Sequence, residues 1–296
     1  MDRATAGVGA APGGAGESGN PVGSSQELFE LFRRPQGRSR PRPDERAVME
    51  AARTGELTVN GKVAAVYRWG SGERPVLLVH GWESRASRYA KAITRLIERG
   101  YSPVAFDAPG HGAATGDTTT LVEYRDIIAE LHRTHGEFEA VVAHSFGVVA
   151  TFVALRHGVR ARRIVAISSV PDFMYLVDMF TARLRLSEQL RDELRRRIER
   201  EVYPGEEDMW TRFSVFHESA GVRVPLLVIH DEDDNTVGCG QARRIVAAFG
   251  EQARLVTTRR FGHQRILGAP QVVAEIEQFI GSGAAEPGRR TEVAAG

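Results

Sequence analysis

At 296 residues the chain can form one large domain or two smaller ones, and 42% hydrophobic against 26% charged residues is enough to bury a sizeable core. Thirty-nine Lys and Arg against 38 Asp and Glu leave a formal charge of +1, which gives no reason to expect a nucleic-acid or anionic-membrane partner. The single cysteine, Cys239, excludes an internal disulfide and a cysteine-built metal site. No apolar run approaches the ~20 residues of a membrane span, and no secretory segment opens the chain, so a cytoplasmic protein is expected.

Residues 1–25, almost all Ala, Gly, Ser and Pro, have little to bury and are expected to be unstructured. Residues 26–54 read as an Arg/Pro-rich linker with a short helix. Six arginines between Arg33 and Arg46 face only Asp44 and Glu45, which fits a solvated linker better than a docking patch. The organised part starts at Leu57, where Leu57–Asn60 and Lys62–Trp69 are β-rich and Asn60-Gly61 is a hairpin signal. Val76–Val79, Pro103–Phe106, Ala140–Ala143, Ile164–Ile167, Pro225–Ile229 and Arg254–Val256 are short apolar runs of the kind found in buried parallel strands. Helical patterns fall between them at about 85–99, 119–134, 147–157, 240–249 and 270–281, several closed by Gly100, Gly158 or Gly250. The alternation predicts an α/β core over 55–169 and 224–281, a mostly parallel sheet with helices on both faces.

Between 170 and 223 the rhythm breaks into helical patterns only. Leu186, Leu190, Leu194, Ile198 and Val202 make an apolar stripe that should pack on the chain's own core, and Glu193–Arg197 is a favourable charge pair along it. An insertion at this point lies over the carboxyl edge of the sheet, where open α/β sheets bind ligands. Residues 282–296 are expected to be an unstructured tail.

Ala143-His144-Ser145-Phe146-Gly147 stands between a strand and a helix. It resembles the nucleophile elbow of the α/β-hydrolase family, G-x-S-x-G, with alanine in place of the first glycine. Val79-His80-Gly81-Trp82 matches the turn that supplies one oxyanion-hole amide in that family, and Asp107-Ala108-Pro109-Gly110-His111-Gly112 matches its D-x-P-G-x-G turn, where His111 is read as a loop histidine. The family order of Ser, then acid, then His picks out His263, which alone of the nine histidines follows the acidic cluster His230-Asp231-Glu232-Asp233-Asp234. Alignment with H-G-x-x-D-x-x-V-P puts the acid at Asp234, with Asp231 the alternative and the remaining carboxylates solvated loop charges.

The resemblance runs from about Leu57 to Ile280 and implies a serine hydrolase of carboxylic esters or thioesters, working without metal or cofactor on a small-molecule substrate. Ser145 would be the nucleophile, His263 the base and Asp234 its orienting acid, with the Trp82 and Phe146 N–H groups as oxyanion hole. Haloalkane dehalogenases and epoxide hydrolases of this family carry aspartate at the place of Ser145, and no zinc-binding H-E-x-x-H occurs. Acyl transfer or cyclisation with a nucleophile other than water, and a non-catalytic ligand-binding homologue, are the alternatives. The 170–223 insertion is expected to act as a lid. Phe173–Phe180 is apolar around more than one face, so Met174, Val177, Met179 and Phe180 are expected to offer some side chains to the substrate pocket.

Overall fold

Asn60 and Gly61 take φ of 47° and 72°, the left-handed pair that a two-residue hairpin demands. They fold β1 (Arg53–Val59) back on β2 (Lys62–Arg68) in antiparallel register, with Val59 opposite Lys62. The apolar runs that follow become β3 (Pro75–Val79), β4 (Ser102–Asp107), β5 (Ala140–His144), β6 (Ile164–Ile167), β7 (Leu226–Asp231) and β8 (Ala253–Thr258). The computed structural model describes residues 25–282 and Thr291–Glu292. In it the sheet runs β1-β2-β4-β3-β5-β6-β7-β8, with β2 antiparallel to β4 and every later pair parallel. Thr291–Glu292 add a two-residue parallel edge beside β8; the rest of the two terminal segments expected to be unstructured lies outside the described residues.

Successive strand residues feed opposite faces, as the period of two requires. Leu77, Val79, Val141, Ala143, Ala166 and Val228 belong to one core, Val76, Leu78, Val142, Val165, Leu227 and Ile229 to the other. The first core is covered by α4 (Leu121–His135), α5 (Phe146–Arg156) and α9 (Gly240–Phe249), the second by α3 (Ala90–Glu98) and α11 (Pro270–Gly281). No helix among the described residues is long and apolar enough to cross a membrane.

The segment 170–223 is helical: α6 (Phe173–Arg183), α7 (Glu188–Arg197), a π-helical turn over Ile198–Val202, and α8 (Met209–Arg212). Leu194 and Ile198 of its stripe are buried and Leu186, Leu190 and Val202 pack half-buried beside them. Arg197 turns to Glu201 at 2.8 Å rather than to the expected Glu193. Two tyrosines fasten the segment across the carboxyl edge: Tyr203 Oη accepts from the Leu121 N–H at 3.0 Å and Tyr175 Oη from the Gly238 N–H at 3.4 Å.

Residues 26–54 depart from the expected solvated linker. α1 (Ser25–Arg33) buries Leu28 and Phe29 in the core, and Phe32 meets the rings of Phe173 at 6.2 Å and Phe180 at 5.1 Å. The second apolar face of α6 is thus taken up by α1. The following strap is held by donors to backbone carbonyls: Arg38 to Gly112, Ala114 and Gly116, and Arg85 to Ser39 at 2.9 Å. It ends in Glu45, only 4% exposed, which accepts from Ser87 Oγ at 2.6 Å and pairs with Arg88 at 2.5 Å, ahead of α2 (Arg46–Glu50). Arginine suits this role because it brings five donors and needs no carboxylate to use them. Glu45→Ala takes from Arg88, a side chain only 10% exposed, its carboxylate partner and leaves it Ser39 and the Arg40 carbonyl, and is expected to cost about 3 kcal/mol. Urea denaturation measures the loss, and limited proteolysis within 34–42 should accelerate in parallel; wild-type stability and resistance would show that the strap is not anchored there.

Candidate active site

β5 ends at His144 and α5 begins at Phe146, so Ser145 alone makes the turn, with φ 53° and ψ −119°. Such a conformation costs a non-glycine residue about 1–3 kcal/mol and persists only where its surroundings enforce it. The enforcement is close packing. A Cβ on Gly147 would lie 2.7 Å from the carbonyl oxygens of Val79 and His80, and one on Gly81 would lie 2.9 Å from Ser145 Cβ. Ala143 is fully buried at the position where the motif's first glycine is replaced.

Ser145 Oγ lies 3.0 Å from His263 Nε2, and His263 Nδ1 lies 2.8 Å from Asp234 Oδ2. Ser145, His263 and Asp234 therefore form one hydrogen-bonded line, in which Asp231 has no part. Burial pushes the Asp234 carboxyl up, but the hydrogen bond and charge of His263 and the N–H groups of Val237 and Thr236 hold it down at about 2. An ionised Asp234 accepts from Nδ1–H, which leaves Nε2 open to the serine proton.

Asp231 has a different task and is no solvated loop charge. It is fully buried, and its Oδ2 accepts from Thr258 Oγ1 at 2.7 Å and the Phe261 N–H at 3.1 Å, its Oδ1 from the N–H groups of Gly262 at 3.0 Å and Asp233 at 3.1 Å. Burial works against its ionisation and these donors more than reverse that, so its pKa is lowered. It fixes the backbone just ahead of His263. Of the other two carboxylates, Glu232 pairs with Arg259 at 2.8 Å and Asp233 accepts from the Arg260 N–H at 2.8 Å.

His144 grips His263 from the other side. Its Nε2 lies 2.8 Å from the His263 carbonyl, which can only accept, so the proton sits on Nε2. The two rings stand 4.7 Å apart. Burial, then the charge of His263, press His144 down to about 3, so it stays neutral beside the base.

The turn at Trp82 is pinned by His111, which is 1% exposed. Its Nε2 accepts from the Glu83 N–H at 3.1 Å while Nδ1–H donates to the Pro109 carbonyl at 3.0 Å. Trp82 packs its ring on Phe146 at 5.8 Å. The N–H groups of Trp82 and Phe146 donate to no acceptor among the described residues, the latter at the positive end of α5. The roles of Asp231, His144 and His111 escape sequence reading. Only the D-x-P-G-x-G turn hinted that His111 sits in a fixed loop.

The four expected pocket residues are spread over several settings. Val177 is buried in the core, Phe180 is capped by Phe32, and Met179 packs half-buried against the same core. Met174 lines an open cavity of about 680 Å³ with Asp172, Tyr175, Trp210, Phe216 and Arg244; Ser145, Asp234 and His263 are not in its wall.

Turn, line and sheet are those of the α/β-hydrolases, and the chain belongs to that family: the profile of the alpha/beta hydrolase family matches residues 76–276. It is similar to a non-heme haloperoxidase of Rhodococcus erythropolis, 37% identical over 112 residues that make up 36% of this chain and 40% of that one. A non-heme chloroperoxidase of Kitasatospora aureofaciens is 32% identical over 119 residues, 37% of this chain and 42% of that one. The match thus spans about two fifths of these relatives' length. Among solved structures, an esterase of Pyrococcus furiosus superposes with TM-score 0.60 at 18% identity, covering 84% of this chain and 97% of that one. The thioesterase domain from the curacin biosynthetic pathway does so with TM-score 0.56 at 17% identity, covering 78% and 99%. At such identities these two show the fold.

Burial also holds His80 at about 4 and His111 at about 3. Like the buried His230, whose pKa burial also lowers, these three histidines therefore refuse a proton that the unfolded chain accepts below its ordinary value of 6.5. Their contribution to stability is complete above pH 6.5 and drains away as pH falls toward 4, by roughly 1.4 kcal/mol per histidine per pH unit. Melting temperature should decline steadily from pH 7 to pH 4.5, and His111→Gln should flatten the slope. A level profile over that interval would contradict the neutral, buried assignment.

Proposed function

We propose that the protein is a serine hydrolase acting on a small carboxylic ester or thioester. The observation that carries this is the line Ser145–His263–Asp234 at 3.0 and 2.8 Å, set on a strained turn at the carboxyl edge of the sheet. His263 Nε2 takes the Ser145 proton as Oγ attacks the carbonyl carbon; the proton then goes to the leaving alcohol or thiol, and an acyl-serine remains. The Trp82 and Phe146 N–H groups, without an acceptor among the described residues, serve as donors to the developing oxyanion. Water activated by the same imidazole releases the acid. The helical segment 170–223, tied by Tyr175 and Tyr203 to loops on both sides of the site, is read as a lid. No metal or cofactor enters the scheme.

The names of the two curated relatives favour a second reading of the same site. Hydrogen peroxide in place of water would attack the acyl-serine and leave as a peroxy acid, an oxidant of halide ions. Monitoring halide oxidation with carboxylate and peroxide, beside ester hydrolysis, separates the two; both use Ser145.

A fluorophosphonate should label wild-type protein at Ser145 and fail on Ser145→Ala. Turnover of an activated ester should fall by at least ~10³-fold in Ser145→Ala and in His263→Ala, with the double variant little worse than either, because nucleophile and base act as a unit. Folded protein that takes no label, or two losses that multiply in the double variant, would refute the triad.

Asp234→Asn should lower kcat by roughly 10⁴-fold with little change in melting temperature, since it leaves the His263 tautomer unspecified. Asp231→Asn should instead lower stability, by about 3 kcal/mol, because four donors lose an ionised acceptor. Interchanged phenotypes would interchange the two roles.

A further inference from the structure

A second cavity, of about 460 Å³, lies between the strap and the two loops that carry the site. Its wall includes Gln36, Arg38 and Arg42 on one side and Glu83, Arg88 and Gln264 on the other. Glu83 directly follows Trp82 and Gln264 directly follows His263, so two wall residues lie one residue step, about 3.8 Å of backbone, from two residues used in the proposed reaction.

The wall is electropositive, and Arg38 and Arg88 in it are held in place. Arg38 uses three of its five N–H donors on the carbonyls of Gly112, Ala114 and Gly116 and has no carboxylate partner among the described residues, so its charge is held in place and uncompensated. Arg42 is 47% exposed along its side chain and only 3.9 Å from Glu45, whose oxygens are already engaged by Arg88 and Ser87. Glu83, the one carboxylate in the wall, accepts from the Gln36 N–H at 2.7 Å and offsets a single charge. Five of the eight lining positions, Gln36 to Ser39 and Arg42, precede residue 76, where the family match begins.

We infer that this cavity binds the anionic end of the substrate, a carboxylate or phosphate on an ester or thioester whose acyl carbon sits at Ser145. The inference rests on the hydrolase reading. A guanidinium already oriented by carbonyls loses little freedom on gripping an oxyanion, and an arginine pair matches the planar or tetrahedral oxygens of either group. The ester functions of neutral and anionic substrates meet the same nucleophile; only the anionic ones gain the anchor.

The test uses the full chain and two matched substrates, 4-nitrophenyl pentanoate and the mono-4-nitrophenyl ester of glutaric acid. At low ionic strength the anionic ester should have a kcat/KM at least ~10-fold higher, equal to ~1.4 kcal/mol, and the advantage should shrink in 0.5 M salt. Arg42→Ala should remove at least ~5-fold of that advantage while leaving the neutral ester unchanged, and Arg42→Lys should restore part of it. Inorganic phosphate should compete with the anionic ester and not with the neutral one; glutarate competing where phosphate does not would restrict the site to carboxylates. Titration of glutarate into Ser145→Ala reads the site without turnover, and binding weakened by Arg42→Ala supports it even if neither ester is hydrolysed. Equal kcat/KM for the two esters, together with no glutarate binding to Ser145→Ala, overturns the anion site while leaving the hydrolase reading standing on the neutral ester.

Discussion

Asp234 and His263 reside on separate loops, after β7 and after β8, and their relative position depends on the carboxylate of Asp231. It gathers Thr258, Phe261 and Gly262 from one loop and Asp233 from the other. Gly262 accommodates the bend with φ 65°, and His263 follows it directly. A hydrogen bond of 2.8 Å between His263 and Asp234 needs both loops placed to within a few tenths of an ångström, and side-chain rotamers alone do not provide that. A buried, ionised residue outside the line Ser145–His263–Asp234 thereby sets the geometry of that line.

Around this line the protein keeps imidazoles neutral. His80, His111 and His144 are each 0–1% exposed, and each uses a ring N–H to hold a carbonyl. A neutral ring satisfies backbone groups without bringing a second cation near the His263–Asp234 pair. Lysine or arginine in these places would compete for that carboxylate, while an aliphatic residue would leave a buried carbonyl unpaired.

Much of this was readable from the residues. Continuous apolar runs such as Val76–Val79 and Ile164–Ile167 marked the strands because a parallel sheet is buried on both faces, and Asn60-Gly61 marked the hairpin by its demand for positive φ. The serine turn and the order of acid and base pointed to Ser145, Asp234 and His263, which the structure brings within hydrogen-bonding distance of one another. Hidden in the sequence were the contacts whose partners are backbone. Arg38 on three carbonyls looks like any solvated arginine in a linker, and Asp231 on three N–H groups looks like any loop carboxylate. The excess apolarity of α6 was legible, whereas its cover by Phe32, more than a hundred residues away, was not.

The strap also imposes an order on biosynthesis. Residues 34–45 leave the ribosome well before the loops they clasp, which reach to Gly116, and α1 waits longer still for Phe173 and Phe180. Until then Phe29 and Phe32 are without their folded neighbours, and six arginines between 33 and 46 keep that stretch of nascent chain hydrated. The charge that looks excessive for a linker is suited to a segment that must remain soluble while the body that will receive it is still being made.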